Sequence, residues 1–374
     1  MDLRDRVNTV TGCFLTMHAL LWCGLWLAIT AGAARAQPLS TTDMLDYLAQ
    51  SVCLDAAGHI TGELPIDPAC TRHRPQTTHD AASYRKHDWP DRSDPRHPVD
   101  GYQASDSVID PRGHRTLVVQ TFDFGDTRRA FGRFDGGQGD GGQVIMLVDG
   151  WASIAMTEDG GDGVQWFIAN GCRSNPGSDQ RYLGWLMFRG DAAPGQWHDQ
   201  VTALNKGRGP NDCPWSFGSA FTRYRLAGMA FPFRIIDRNG TVTNVTHNLD
   251  VVISEHYGGS SIADATHLER FYLAKGLGLV RWERWENPAK SHNANLDQSA
   301  ARLAQSGRCP NLDMHETADR DWKLVDCRTW TALLHAPANW SVDDYGWTAL
   351  AAFGSPDAAA PAAAGCPGQR RCTN

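Results

Sequence analysis

Alternating apolar and polar residues dominate residues 102–286 and predict short β-strands separated by Gly, Asn and Asp turns. The clearest hairpin lies within residues 143–157, where an Asp-Gly dipeptide favours a type I′ turn that places Val148 opposite Trp151. The remaining predicted strands of this region are Arg115–Phe124, Gly163–Ala169, Tyr182–Phe188, Phe217–Arg225, Met229–Ile236, Thr241–Thr246 and Leu249–Tyr257. The pattern predicts a mainly β fold: an antiparallel sandwich or barrel-like, jelly-roll-type core, with short peripheral helices and disulfide-stapled loops.

Helical spacing of apolar residues occurs at only a few places. Residues 40–52 present their apolar positions on one face and begin with Ser40, a residue type that caps helices. Residues 296–305 repeat this pattern near the C-terminus, and a strand is predicted after them at residues 322–330. One brief helix between the central strands is predicted from the spacing of Trp197, Val201 and Leu204. The helices are therefore few and peripheral.

These elements divide the chain into five segments. Residues 1–36 are predicted to be a signal peptide, and residues 37–101 a short helix followed by an irregular, disulfide-bonded arm rich in Pro and Asp. The antiparallel β core is predicted at residues 102–290, with a C-terminal extension packed on it at residues 291–352. Residues 353–374 are Pro/Ala-rich and are predicted to form a flexible tail that ends in a small cysteine loop.

The first segment has the features of an export signal. A charged start precedes a long apolar run, and Ala34-Arg35-Ala36 matches the small-x-small pattern of signal peptidase sites. The alternative is a retained membrane anchor, because the apolar run is nearly long enough to span a bilayer. A lipid anchor is not expected, because Trp22 rather than a small residue precedes Cys23. Cleavage after the Ala-Arg-Ala motif, with no later transmembrane segment, predicts an exported protein, either periplasmic or extracellular.

Cysteine usage agrees with that compartment. Of the 10 cysteines, Cys13 and Cys23 lie in the predicted signal, which leaves an even set. An even set in an exported chain predicts disulfides, and clustering along the sequence favours local pairs. The predicted pairs are Cys53–Cys70, Cys172–Cys213, Cys309–Cys327 and Cys366–Cys372. A zinc site is not predicted, because no C-x2-C pair occurs in the sequence.

The charge balance excludes one class of partner. The chain has 374 residues with 35 basic and 42 acidic side chains, and this formal charge of −7 argues against nucleic acid. Two acidic, glycine-rich loops at residues 135–140 and 158–162 contain oxygen ligands of the kind that calcium prefers, but neither has EF-hand spacing. Ordinary turns are the preferred interpretation of both loops. No metal and no other cofactor is predicted.

The most informative local pattern is a hairpin across residues 267–286. A two-residue turn would place Arg270 opposite Arg281, which are like charges on adjacent strands. A three-residue turn with Gly276 in the left-handed conformation avoids that repulsion, and it is the preferred register because its opposed pairs are complementary. The opposed pairs of this second register are Glu269–Arg281 and His267–Glu283.

The preceding strand adds Glu255, so three carboxylates are candidates for one site: Glu255, Glu269 and Glu283. Glycoside hydrolysis requires two carboxylates beside the scissile bond, one protonated and one ionised. Arg281 and His267 fall on the predicted face of these carboxylates and are candidate ligand-binding residues. The alternative interpretation is a solvated, salt-bridged sheet face, because exposed ion pairs are common on sheets.

Tryptophan content gives a second indication of carbohydrate. The chain has 14 tryptophans, of which Trp22 and Trp26 lie in the predicted signal. The flat apolar faces of tryptophan stack on sugar rings, and the indole N–H bonds to hydroxyl groups. Four tryptophans within strand patterns are predicted to be core residues: Trp151, Trp166, Trp185 and Trp282. The candidates for exposed, ligand-binding positions are Trp285, Trp330, Trp340 and Trp347.

Two classes of function remain open from the sequence. The first is an exported, disulfide-bonded β protein that binds a polysaccharide or cell-envelope glycan, with or without carboxylate-dependent cleavage of it. The second is a non-catalytic secreted or envelope protein with an interaction or structural role.

Overall fold

The computed structural model describes residues 38–76, 84–87, 102–110, 115–123, 141–156, 185–208, 214–237, 239–307, 309, 312 and 321–335. Within these ranges the two helices are α1 (Thr41–Leu48) and α2 (Leu296–Ser306). The strands are β1 (Ser51–Cys53), β2 (His73–Pro75), β3 (Tyr84–His87), β4 (Tyr102–Asp110), β5 (Arg115–Asp123), β6 (Gly141–Val148), β7 (Trp151–Met156), β8 (Trp185–Arg189), β9 (His198–Arg208), β10 (Pro214–Ile236), β11 (Val242–Tyr257), β12 (His267–Ala274), β13 (Gly278–Glu286), β14 (Lys323–Thr329) and β15 (Ala332–His335). The predicted mainly β fold with short helices is confirmed.

One large sheet contains 13 of these strands, in the order β14-β13-β12-β11-β10-β15-β3-β4-β5-β6-β7-β8, and β9 pairs with β10 off this path. Its ladders are antiparallel apart from the parallel pair of β10 and β15. Within the described ranges the sheet is open, because β14 and β8 at its two ends do not pair with each other. Strands β1 and β2 form a separate two-stranded ladder.

Local turn and cap chemistry is where the sequence predictions hold best. Asp149 and Gly150 both have positive φ angles, 48° and 75°, and Val148 lies opposite Trp151 as predicted. Ser40 caps helix α1, because its side chain accepts a hydrogen bond from the backbone N–H of Asp43. Helix α2 occupies the range predicted near the C-terminus, and β14 is the strand predicted after it.

The central strands are longer than predicted. Four of the predicted short strands are in fact the two long strands β10 and β11, and the whole of β11 pairs with Phe221–Ile236 of β10. From the sequence alone, Gly228 and Asn248 suggest breaks between strands, yet both residues keep their partners in this ladder. The helix predicted from Trp197, Val201 and Leu204 is wrong, because residues 198–208 form β9 against β10. In each case cross-strand pairing outweighs weak local preference.

Three strands of the large sheet, β3, β14 and β15, come from outside the predicted β core. Strand β3 belongs to the predicted irregular arm, and β15 belongs to the predicted C-terminal extension, yet they pair with each other inside the large sheet. Lys86 of β3 is fully buried, and its Nζ donates hydrogen bonds to the carbonyl oxygens of Leu277 and Leu279. These contacts attach β3 to the start of β13, and burial lowers the pKa of the Lys86 ammonium well below its ordinary value.

Both faces are covered along β12, β13 and the second half of β11, residues 251–257. On one face Val252, Phe271 and Trp282 belong to a core with residues of α1 and β8. On the other face Ile253 and Tyr272 pack with residues of β3, β10 and β15. Successive side chains on these strands therefore point alternately into two different environments, one on each face of the sheet.

Two of the four predicted disulfides lie among the described residues, and both are confirmed. Cys53–Cys70 joins the end of β1 to the segment before β2, with 5.5 Å between the Cα atoms. Cys309–Cys327 joins the segment after α2 to β14, with 6.3 Å between the Cα atoms. The predicted pairs Cys172–Cys213 and Cys366–Cys372 lie outside the described residues. Disulfides in a β-rich chain fit an exported protein.

Removal of the Cys309–Cys327 disulfide, by replacing both cysteines with serine, is expected to lower the free energy of unfolding by about 3 kcal/mol, measured by urea denaturation. The reason is that the cross-link restricts the unfolded chain. The double serine variant of Cys53–Cys70 is a matched control, because the two bonds span 18 and 17 residues. A loss below about 1 kcal/mol in both variants would contradict this account.

Candidate functional site

The hairpin of β12 and β13 differs in register from the prediction. Its turn has three residues, with Gly276 at a positive φ of 78°, as predicted, but it spans residues 275–277 and not 274–276. However, the turn closes the pair Ala274–Gly278, and the ladder then shifts by one residue at Val280. A bulge of this kind moves every later residue of the strand along its partner. The predicted opposed pairs are therefore wrong: Glu269 lies opposite Arg284, and His267 lies opposite Glu286.

The true register aligns a row of alternating charges across four strands. Arg223 of β10 lies opposite Glu255 of β11, which lies opposite Arg270 of β12, which lies opposite Glu283 of β13. We call these four residues the charge row. Arg223 is 9% exposed and the other three are at most 2% exposed. Directly opposed residues share a face of the sheet, so the row is one continuous buried polar structure.

Glu283 is the most heavily bonded member of the charge row. Its Oε1 accepts hydrogen bonds from Nε of Arg281 at 2.7 Å. Its Oε2 accepts hydrogen bonds from the Tyr272 hydroxyl at 3.0 Å, the Trp285 indole N–H at 2.9 Å and Nη1 of Arg270 at 3.4 Å. Burial by itself raises the pKa of Glu283, but the two guanidinium groups outweigh burial and hold the pKa below its ordinary value. Glu283 is therefore an ionised, fully bonded carboxylate.

Glu255 has a similar but smaller set of contacts. Arg270 donates to its Oε1 at 2.8 Å, and the Tyr257 hydroxyl donates to its Oε2 at 2.8 Å. The Nε of Arg223 lies 3.3 Å from the same Oε2, and the Arg223 guanidinium stacks over the Trp197 ring at 3.9 Å. Arg270 thus bridges both carboxylates, which fixes their positions relative to each other.

A cavity of about 210 Å³, partly open to solvent, lies over one end of the charge row. Its polar wall is formed by Arg270, Tyr272, Arg281, Glu283 and Trp285. The opposite wall is formed by Ala300, Leu303 and Ala304 of α2, together with Leu312, Leu324 and Cys309. Helix α2 and the Cys309–Cys327 disulfide therefore cover the cavity, and β13 supplies most of its polar groups.

Glu269 and His267, two of the predicted site residues, do not reach this cavity. Both lie on the opposite face of β12 from Arg270. Glu269 is 25% exposed and lies 3.5 Å from Arg284, an ordinary partly solvated ion pair. His267 packs closely against Gly258, and its pKa is lowered by burial and then by Arg284. The structure thus brings Glu255 and Glu283 together and separates Glu269 from both.

Of the tryptophans predicted to be exposed, one lines the cavity and another does not. Trp330 is fully buried, so its predicted exposure is wrong: its backbone N–H bonds to Val280 and its ring packs in the core. Trp285 is half-buried and lines the cavity, with the Arg270 guanidinium 5.5 Å from its ring. Trp340 lies outside the described residues, as does Trp347. The predicted burial of Trp151 and Trp282 is confirmed.

Arg270 and Tyr272 were not identified as site residues from the sequence. Both follow the same period-two alternation as Leu268 along β12, and this alternation was available in the sequence. What the sequence does not reveal is the bulge, and therefore which residues of β13 share their face. A bulge in one strand reverses the facing of every residue beyond it, so the partners were assigned to the wrong face.

No group of three or more metal-ligating side chains occurs in the described part of the chain. The two acidic glycine-rich loops considered for calcium lie outside it. Of the two described helices, neither is long and apolar enough to cross a bilayer.

Comparison with known proteins adds little to this picture. No protein-family model and no curated protein sequence matches the chain. Among solved structures, the chain is similar to a Bacteroides fragilis protein described as exported and as having a YmcC-like fold, at 12% identity and a TM-score of 0.18. The match covers 55% of this chain and 88% of the other. That score is too low to carry an argument about fold or function.

Proposed function

We propose that this exported protein binds a glycan without cleaving it, and that one sugar unit enters the cavity beside Trp285. The observation that carries the proposal is the position of Trp285, an aromatic ring on the wall of a cavity whose other polar groups are held by buried hydrogen bonds. An aromatic platform beside fixed hydrogen-bonding groups suits a sugar, which has an apolar ring face and polar hydroxyls.

The size of the cavity supports a small ligand unit. Its volume of about 210 Å³ lies below the range of roughly 300–1,000 Å³ that is usual for drug-sized ligands. Because the cavity is partly open, the rest of a longer glycan would extend into solvent. An exported protein meets such a glycan in the periplasm or outside the cell, where polysaccharides and envelope glycans are found.

Binding is favoured over hydrolysis by the state of the carboxylates. A glycosidase needs one protonated carboxyl group as its general acid. The pKa of Glu283 is lowered by Arg281 and Arg270, so this group carries no proton to donate near neutral pH. Glu269, the third carboxylate of the hydrolase hypothesis, lies on the other face of the sheet. Glu255 and Glu283 are thus better suited to hold Arg270 in place than to act on a bond.

Replacing Trp285 with alanine is expected to weaken glycan binding roughly tenfold or more, because buried aromatic contacts dominate the affinity of small sites. The measurement starts with a glycan array probed with the exported chain, followed by calorimetric titration of the best ligand. Trp322→Ala is the matched control, because Trp322 packs on Tyr257 and does not line the cavity.

Four outcomes decide between the proposal and its alternatives. Selective loss of affinity in the Trp285 variant supports it. Equal affinities of the Trp285 and Trp322 variants would show that the glycan binds elsewhere, and no binding to any glycan would favour a protein-interaction or structural role. Release of reducing sugar from a bound polysaccharide would instead establish a hydrolase.

A further inference from the structure

Among the described residues, no strand pairs with one edge of the first half of β11. β10 pairs with β11 along its whole length, from Val242 to Tyr257. On the other side β12 pairs only with residues 251–257, and in the described ranges no other strand pairs with residues 242–249. These residues are exposed or half-buried along the whole stretch. β11 therefore extends beyond β12, with β10 on its other side and β15 paired to the end of β10.

The backbone groups at this edge point outward at known positions. The carbonyl oxygen of Asp250 accepts a hydrogen bond from the N–H of Lys275, which lies on the β12 side of β11. In an antiparallel strand the N–H and C=O of one residue point to the same side, and this side alternates along the strand. The ladder with β10 has no register shift across β11. The residues that present both backbone groups at the open edge are therefore Asn248, Thr246, Asn244 and Val242.

The edge lacks the features with which proteins block strand addition. Protected sheet edges usually contain Lys, Pro, inward-pointing charges or a bulge. Residues 242–249 read Val-Thr-Asn-Val-Thr-His-Asn-Leu, with no acidic or basic residue apart from one histidine and with neither Pro nor Gly. Val242 is 42% exposed, which is high for a β-branched apolar residue. The strand has no bulge in its ladder with β10, has no acidic residue, lysine or arginine between 242 and 249, and is suited to accept another strand.

We propose that the occupant of this edge is the same edge of a second copy, paired antiparallel about a two-fold axis at Thr246. In this register Thr246 faces its own counterpart, and Asn244 faces Asn248 of the other copy. Hydroxyl–hydroxyl and amide–amide pairs of this kind stabilise adjacent strands. The chain has a formal charge of −7, which opposes self-association, but the edge itself is neutral and brings no like charges together. The contact is isologous and closes as a dimer.

The decisive variant is Thr246→Pro. The N–H of Thr246 points away from β10, so proline removes a donor only from the open edge, a position where strands tolerate proline. Sedimentation velocity of the unmodified exported chain is expected to show a monomer–dimer equilibrium. Thr246→Pro is expected to weaken dimerisation roughly tenfold or more, because each copy loses one hydrogen bond of the shared ladder. Thr246→Val, which keeps the N–H and the strand preference, is expected to retain the dimer.

Each result has a defined meaning. A chain that stays monomeric at all concentrations would overturn the proposal, as would a Thr246→Pro variant that dimerises as well as the unmodified chain. If the proline variant does not fold, shown by a lost melting transition, Thr246→Lys replaces it. That change places two lysines face to face, so dimerisation should weaken at low salt and partly recover at high salt. An unchanged dimer in the lysine variant also contradicts the proposal.

Discussion

Replacing Glu283 with alanine is expected to lower the free energy of unfolding by about 3–5 kcal/mol, measured by urea denaturation. The carboxylate is 2% exposed and accepts hydrogen bonds from Arg281, Arg270 and Tyr272. Its removal leaves two guanidinium groups without this partner in a site that water reaches poorly. Burial of charge whose partner has been removed is among the most destabilising changes in proteins.

Glu269→Ala is the matched control for Glu283→Ala. Glu269 lies on the neighbouring strand and also has an arginine partner, but the pair is partly exposed, with 25% exposure at Glu269 and 37% at Arg284. Ion pairs of this type contribute at most about 1 kcal/mol. Equal losses in the two variants would contradict the assignment of the two carboxylates to different faces of the sheet. Glu283→Gln, which keeps the shape and removes the charge, should fall between the two.

The second large effect expected is a loss of stability in acid caused by His256. This side chain is fully buried, with the Trp185 and Phe271 rings 5.0 and 4.8 Å from its own. Burial lowers the pKa of His256 from 6.5 to about 3. Above pH 6.5 neither the folded nor the unfolded chain protonates this group. Between pH 6.5 and about 3 only the unfolded chain binds the proton, so stability falls by up to about 1.4 kcal/mol per pH unit.

The measurement is the free energy of unfolding at several pH values between 6.5 and 4.5, for the native chain and for His256→Phe. Below this window Glu283 adds its own acid-dependent loss, because its folded pKa is lowered. His267 also has a lowered pKa and acts in the same direction, so the relevant quantity is the difference between the two chains. The Phe variant should have the flatter profile, and the exposed His292→Phe should match the native chain. Parallel profiles for all three would show that His256 does not cause the acid sensitivity.

The turns, helix caps and disulfides that depend on residues close in sequence were predicted best. The Asp-Gly turn at residues 149–150 and the Ser40 cap are determined by neighbouring residues, and both are present as predicted. The two described disulfides link cysteines separated by 17 and 18 residues, so local pairing was sufficient to identify them. By contrast, the helix predicted from Trp197, Val201 and Leu204 is wrong, because residues 198–208 form a strand that pairs with β10. That pairing cannot be read from the segment alone.

The candidate site was predicted in composition but not in geometry. Glu255, Glu283, Arg281 and Trp285 were identified from the sequence, and the structure places them in or beside one buried network. Glu269 was assigned to the same face, and this was wrong because of a single bulged residue, Val280. The predicted contribution of these residues to glycan binding stays a prediction until binding is measured.

The sequence by itself determined the β character of the chain, its turns, its cysteine pairs where they are described, and the residue types available for a site. These properties depend on contacts between residues close in sequence, or on a strict period of two. Only the tertiary structure decided which residues meet. Facing in a sheet reverses with every one-residue shift, and the local residue pattern of β13 does not mark its bulge. The pairing of β3 with β15 joins segments that are far apart in the chain. The charge row is therefore a product of the register that the four consecutive strands β10, β11, β12 and β13 set together.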